Sequence, residues 1–376
     1  MRILHTSDWH FGMPRGTDTY EADQRFFLRQ LCAILESERV DAVLCAGDIY
    51  DSSVSNADAI RLYNDAVTQI CGEMHVPMVV IAGNHDSGAR LAACRELLKP
   101  AGLYVTGRLT RDVEPVLLGT DAAVYPVPFF GRDEVAALFP EKREEITSYE
   151  KAFGVVCGHI RETMDPNRCN ILLAHAMVVR AQLSESDRAA RIGQAIAVSK
   201  DVFDGFDYTA LGHIHKPQAV SATVRYSGSP IPYAFGAEET QEKSVVLLDT
   251  ADRTQRVIPL AQLHARRTLT GTLNEVLAAQ DADDAYLRVQ LTDRFAGPET
   301  LGLLRARFPL LMELYGKPTE ATGEANAMTV SQIARMDETD ILENFFAELY
   351  DDKPTVQQMQ IFQKALLEAS GEGELA

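Results

Sequence analysis

The chain has 376 residues, 46% of them hydrophobic and 24% charged, with 36 basic against 54 acidic side chains and a net charge of −18. That composition is ordinary for a soluble globular protein built from one large domain plus smaller units, and with no run of about 18 apolar residues it speaks against a membrane-spanning helix. The acidity argues against strong stand-alone nucleic-acid binding, which rests on clustered Lys and Arg, but not against phosphodiester chemistry, because bound divalent cations offset carboxylates locally. The opening MRILHTSDWH meets a carboxylate and a histidine by residue 10. It does not read as a signal peptide, so a cytoplasmic protein is expected. Cys32, Cys45, Cys71, Cys94, Cys157 and Cys169 lack paired CxxC spacing and read as reduced, mostly buried thiols.

In chain order, Ile3–His5 is a short apolar run that reads as a buried strand, and residues 21–38 follow with helical periodicity. Ala42–Ala46 is the next strand. Residues 56–71 are again helical, with Ile60, Tyr63, Val67 and Ile70 at helical spacing and Asn56 or Ser55 as N-cap. Met78–Ala82, Ile171–Ala174 and Tyr208–Leu211 complete a set of five strands. The alternation predicts an α/β sandwich with a largely parallel first half. Residues 219–260 look like hairpins, and the composition changes near residue 262. Residues 263–318 read as a small α+β unit with strand Tyr286–Leu291, helix Pro298–Arg307 and strand Leu310–Tyr315. A polar linker is expected over 319–336. Two amphipathic helices are expected over 337–369, with apolar faces Ile341, Leu342, Phe345, Phe346, Leu349 and Met359, Phe362, Leu366, Leu367, before a disordered tail to residue 376.

Five polar motifs stand at the carboxyl ends of the five predicted strands: Asp8-Trp9-His10, Gly47-Asp48-Ile49-Tyr50-Asp51, Gly83-Asn84-His85-Asp86, Ala174-His175 and Gly212-His213-Ile214-His215. Sites in open α/β sheets form outside those ends, so the motifs are expected on one rim. Asp8/His10 and His213/His215 are i,i+2 pairs that project to one side of an extended chain. Carboxylate, imidazole and amide oxygen without thiolate suit Mn²⁺, Fe or Zn²⁺ better than Ca²⁺ or a structural zinc site. Asp48 is the natural bridging ligand of a two-ion site that activates a water and clamps a phosphoryl group. The preceding glycines fit turns where backbone comes close to the ions. Each motif alone is weak; the five in this order are not.

D-x-H, GD-x-x-D, GNHD, a lone His and GH-x-H in this order resemble the calcineurin-like metallophosphoesterase superfamily. SDWHFG, ALGHIHKPQ and RYSGSPIPYAFGAEE followed by KSVVLLD are similar to the SbcD family of bacterial nuclease subunits within it, over nearly the whole chain. The resemblance implies an αββα-type sandwich over 1–262 with a small α+β capping, DNA-binding domain. It implies two Mn²⁺, with Mg²⁺, Fe or Zn²⁺ as alternatives. Asp8, His10, Asp48 and His215 would hold one ion, and Asp48, Asn84, His175 and His213 the other. His85 would protonate the leaving 3′-oxygen or position the scissile phosphate, and Asp51 would orient His85, although Asp51 alone is also a turn cap. The implied activity is 3′–5′ exonuclease on duplex DNA and endonuclease on single strands and hairpins, in DNA repair, recombination and replication. The implied partner is the coiled-coil ATPase SbcC, docked by the helices of 337–376. A homodimer, to which the 56–71 helix contributes, would sit within a heterotetramer of two chains of each kind in the nucleoid.

Two other functions fit the same motifs. A phosphomonoesterase or cyclic-nucleotide phosphodiesterase would use the same metal core. Against it, Ser52 follows Asp51 where phosphatases of the superfamily tend to carry Arg, and Asp86 stands where they tend to carry Glu. A catalytically inert scaffold is the other, and every ligand position is filled against it. Outside the motifs, Trp9 reads as core or site wall and His5 as a buried hydrogen-bonding histidine. Arg225–Ser229 reads either as DNA-channel lining or as a β-turn.

Overall fold

The computed structural model describes residues 1–15, 18–179, 181–183, 187, 197–280, 282–293, 298–316 and positions 354, 355, 358, 359 and 361. The expected linker over 319–336 lies outside the described residues. So do the two helices and apolar faces of 337–369, apart from isolated positions such as Met359. The chain divides into two compact units, Met1–Pro14 with Asp18–Leu263, and Arg15–Thr17 with His264–Ala376.

The first unit begins with β1 (Arg2–Thr6), α1 (Glu21–Ser37), β2 (Ala42–Cys45), α2 (Ala57–Val67), β3 (Met78–Ile81) and β4 (Leu103–Thr106). β5 (Val116–Leu118), β6 (Ala122–Val127), α3 (Tyr149–Arg161), β7 (Cys169–His175) and β8 (Tyr208–Gly212) follow. It closes with β9 (Gln218–Ala219), β10 (Val224–Tyr226), β11 (Ser244–Asp249) and β12 (Gln255–Pro259). One six-stranded sheet runs β12-β11-β1-β2-β3-β4 and the other β9-β10-β8-β7-β6-β5. β1 to β4 are mutually parallel, as are β6, β7, β8 and β10. The hairpins expected in 219–260 are present as β9–β10 and β11–β12, on different sheets.

The strands are legible as unbroken apolar runs because both faces are covered. β2, β3, β7 and β8 are buried at every residue, the pattern of parallel strands between two layers. Ile3, Leu44, Val79 and Ile81 of one sheet meet Val124, Ile171, Leu173 and Ala210 of the other in a shared core. Phe153, Val156 and Ile160 of α3 cover the outer face of the second sheet through Leu172 and Leu211. The arrangement is the expected α/β sandwich.

Two readings change. Asn56 caps α2, its side-chain oxygen accepting from Ala59 N–H. The buried face of α2, however, is Ala59, Leu62, Tyr63 and Ala66, and Ile60 points outward at 44% exposure. After Val67 the helix widens into a π-helical turn over Thr68–Glu73. β4, β5, β6 and α3 were not expected at all. The second unit is a three-stranded parallel sheet of β13 (Arg266–Gly271), β14 (Tyr286–Leu291) and β15 (Leu311–Tyr315), with α4 (Leu273–Leu277) and α5 (Pro298–Arg307). Its own core includes Leu273, Val276, Leu287, Val289, Leu304 and Phe308. Among the described residues no helix is long and apolar enough to cross a membrane, and the six cysteines are unpaired, five of them buried.

Candidate metal centre

The loops leaving β1 and β2 are zipped together by main-chain bonds: Asp8 N–H to Gly47 O and His10 N–H to Asp48 O, both 3.0 Å. To achieve this, Asp8, His10 and Asp48 adopt φ of 54°, 44° and 51°, and His213 adopts 100°. Such left-handed geometry costs about 1–3 kcal/mol per non-glycine residue and persists where surrounding structure enforces it. Two glycines make room. A Cβ on Gly47, itself at φ 89°, would lie 2.6 Å from His175 Nδ1, and one on Gly83 would lie 2.1 Å from Asp48 Oδ1.

Two clusters result. In the first, His10 Nε2 lies 3.0 Å from His215 Nε2 and 3.7 Å from Asp48 Oδ2, and ligand atoms of Asp8, His10 and His215 all fall within 4.8 Å of one another. In the second, Asn84 Oδ1 faces His175 Nε2 at 2.9 Å and His213 Nδ1 at 2.8 Å, and His175 Nε2 lies 3.4 Å from Asp48 Oδ2. Asp48 Oδ2 therefore touches both clusters, while its Oδ1 accepts the His85 N–H at 2.9 Å. Asp8 Oδ1 accepts the His213 N–H (2.9 Å) and its Oδ2 the Ser7 hydroxyl (2.6 Å). His175 Nδ1–H donates to Ala46 O at 2.8 Å, which turns Nε2 toward the centre in the manner of a metal-bound imidazole. All seven residues read as ligands are thus brought together from five strand ends, three on one sheet and two on the other. His85 stands beside them, its ring 4.9 Å from that of His10.

Several side chains sit differently from their expected roles. Asp51 meets His85 through its main-chain carbonyl, which accepts Nδ1–H at 2.8 Å. Its carboxylate lies instead 3.5 Å from His10 Nδ1. Asp86 turns inward, accepting the N–H groups of Gly83, Ile49 and Tyr50. It braces the turn that carries Asn84 and His85. Tyr226, Ser227 and Ser229 are fully buried, with Tyr226 OH on Ala176 O, so this part of Arg225–Ser229 is core and not channel lining. Trp9 is buried, its indole N–H on Thr6 Oγ1. His5 is buried between Tyr208 OH and Leu211 O. Asp187 was not foreseen: its Oδ1 accepts the His215 N–H at 3.0 Å and lies 3.8 Å from His215 Nδ1. It belongs to the polar run LSESDR, which has no strand or turn signature.

Burial alone would raise the Asp48 carboxyl, but the His175 and His10 imidazoles hold it well below the usual range. Burial opposes a charge on His175, yet Asp48 and Asp8 lift it to about 9. His10 is likewise lifted, against its burial, by Asp51, Asp48 and Asp8. Burial, and then His175, pushes His213 down to about 3, and burial with His10 depresses His215. The buried carboxylates thus favour positive charge at His10 and His175. The imidazole nitrogens at 3.0 Å (His10–His215) and 3.2 Å (His175–His213) are lone-pair donors that repel unless a proton or a cation lies between them. A donor set of this kind, with one carboxylate reaching both halves, fits a pair of divalent cations.

Sandwich and centre together define a metallophosphoesterase. A family model described as calcineurin-like phosphoesterase matches residues 1–217, and the chain belongs to that family, whose site binds divalent metal. The chain is also similar to the D subunit of the nuclease SbcCD from Staphylococcus saprophyticus, at 27% identity over 99% of this chain and 100% of that one. To the corresponding SbcCD nuclease subunit of Staphylococcus epidermidis it is 27% identical over 93% and 94% of the two chains. The crystal structure of TT1561 of Thermus thermophilus matches with a TM-score of 0.39 and 15% identity, covering 69% of this chain and 99% of that one.

Proposed function

We propose that the chain is the nuclease subunit of an SbcCD-type complex. It hydrolyses DNA phosphodiesters with two Mn²⁺, as a 3′–5′ exonuclease on duplex DNA and an endonuclease on single strands and hairpins. It works with the coiled-coil ATPase SbcC in DNA repair. The end-to-end similarity to the two staphylococcal subunits supports the substrate and the partner. The observation that carries the chemistry is the convergence of seven donor side chains on two clusters joined by Asp48, with the His85 imidazole alongside.

Asp8, His10, Asp48 and His215 would hold one cation, and Asp48, Asn84, His175 and His213 the other. Bound there, the pair supplies an activated water and neutralises charge on the phosphoryl group. The chain's own residues do the rest. The bonds from His175 Nδ1–H to Ala46 O and from His213 N–H to Asp8 Oδ1 hold these donors in place without substrate. His85 donates Nδ1–H to the Asp51 carbonyl, which orients the ring and leaves Nε2 to hold the proton offered to the leaving 3′-oxygen. That oxygen leaves as an alcohol, and the second product keeps a 5′-phosphate.

The test is Mn²⁺-dependent cleavage of a labelled hairpin duplex, with and without SbcC and ATP. His85→Gln is expected to keep both cations and lose at least about 100-fold in cleavage rate; Asp48→Ala loses cations and cleavage together. Ser52 and Asp86, standing where phosphatases of the superfamily tend to carry Arg and Glu, favour diester over monoester chemistry. A preference for p-nitrophenyl phosphate over its bis-ester would therefore overturn the nuclease reading in favour of a phosphomonoesterase.

A further inference from the structure

Lys243 is the one lysine in the chain's described residues whose side chain has no solvent exposure. Its ammonium lies 3.0 Å from the His215 carbonyl, 3.0 Å from Ser229 Oγ, 3.0 Å from Glu238 Oε2 and 2.7 Å from Gln241 Oε1. Glu238 is equally buried and also accepts the Tyr233 N–H at 3.0 Å. A buried ion pair is a costly way to gain stability, because desolvation consumes most of the attraction. The place of this pair matters more. Tyr233 donates its hydroxyl to Trp9 O at 2.5 Å, and its ring packs edge-on against His10 (5.6 Å) and His215 (5.8 Å). From one ammonium, the contacts run to the main chain of His215 and, through Glu238 and Tyr233, to the loop and ring of His10. The other cluster is anchored elsewhere: His175 on Ala46 O, His213 N–H on Asp8, and the Asn84 turn on Asp86.

We propose that the Lys243–Glu238 pair is a positioning device for one half of the metal centre, holding His10 and His215 at cation-binding distance while leaving the Asn84–His175–His213 half untouched. The inference rests on the two-cation reading above. It assigns the two cation sites different supports and therefore different sensitivities. Outer contacts of this kind are worth about 10–100-fold in metal affinity.

The experiment uses the full chain and Mn²⁺ alone. Lys243→Met would remove the ammonium beside buried Glu238 and can unfold the protein, so the test pairs Lys243→Met/Glu238→Gln, which removes both charges, with the milder Glu238→Gln. Mn²⁺ binding is followed by titration calorimetry and electron paramagnetic resonance. Wild type is expected to bind two ions with an exchange-coupled spectrum. In each folded variant one site weakens, by about 10-fold or more in the double variant, and the six-line signal of isolated Mn²⁺ replaces the coupled one. Adding His10→Ala then leaves the remaining ion in place, whereas adding Asn84→Ala removes it. Two ions bound with wild-type affinity in a folded variant, or both sites lost together, would overturn the proposal. If the double variant does not fold, Glu238→Gln decides on the same criteria. A wild type that binds no Mn²⁺ would sink the two-cation reading itself, a result distinct from variants that behave like wild type.

Discussion

His175 meets two demands at once. Its Nδ1–H is committed to Ala46 O, and its Nε2 lies between Asp48 Oδ2 and Asn84 Oδ1. With two carboxylates nearby, it is lifted to about 9, so at neutral pH a proton on Nε2 competes with any cation for that position. A cation must displace that proton. Below pH 9 the proton competes, and above pH 9 it is already gone, so apparent affinity rises as pH rises toward 9 and then levels off. One proton makes the slope about tenfold per pH unit, and His10, lifted in the same direction, adds to it. Calorimetry at about pH 7 in two buffers of different protonation enthalpy is expected to show at least one proton released per metal pair. Release of none would contradict this account of the centre.

Among the elements, β7 carries the most weight for its length. It is buried at all seven residues, pairs in parallel with both β6 and β8, and ends on His175. Leu173 lies in the core between the sheets with no exposure. Leu173→Ala is expected to cost about 2–5 kcal/mol, seen as a lowered urea midpoint with unchanged slope; a loss under about 1 kcal/mol would mean that the two sheets are not close-packed there. The same burial explains what was legible. β1, β2, β3, β7 and β8 announce themselves as apolar runs because neither face meets water, and the site followed because its polar groups interrupt those runs at their carboxyl ends. β6 was hidden by Pro126, which normally demotes a strand. It is tolerated because β5 pairs only with Ala122–Val124, so no neighbour on that side needs its missing N–H. α3 carries Gly154 and Gly158, each about 1 kcal/mol worse than Ala in a helix; nothing packs where their Cβ atoms would be, so the helix is held by Phe153, Val156 and Ile160. The Asp51 contact was misread for a different reason: a main-chain acceptor has no residue type.

For the molecule as a whole, the charge of −18 bears on the proposed DNA substrate. Without many paired Lys and Arg contacts few counterions are released, so the chain alone is expected to bind duplex DNA no more tightly than about 1 μM at physiological salt, with a shallow dependence on salt concentration. The partner is expected to contribute most of the affinity. Fluorescence anisotropy on a hairpin duplex, with the chain alone and with SbcC, measures both; nanomolar binding by the isolated chain would place a basic surface where the composition predicts none.

Three of the five ligand-bearing strand ends belong to one sheet and two to the other. Neither layer by itself supplies both clusters: His10 meets His215, and Asp48 and Asn84 meet His175, only across the seam. A bound ion pair therefore stitches the halves together, and its binding energy is added to their docking. The complete centre therefore exists only once the two sheets have docked.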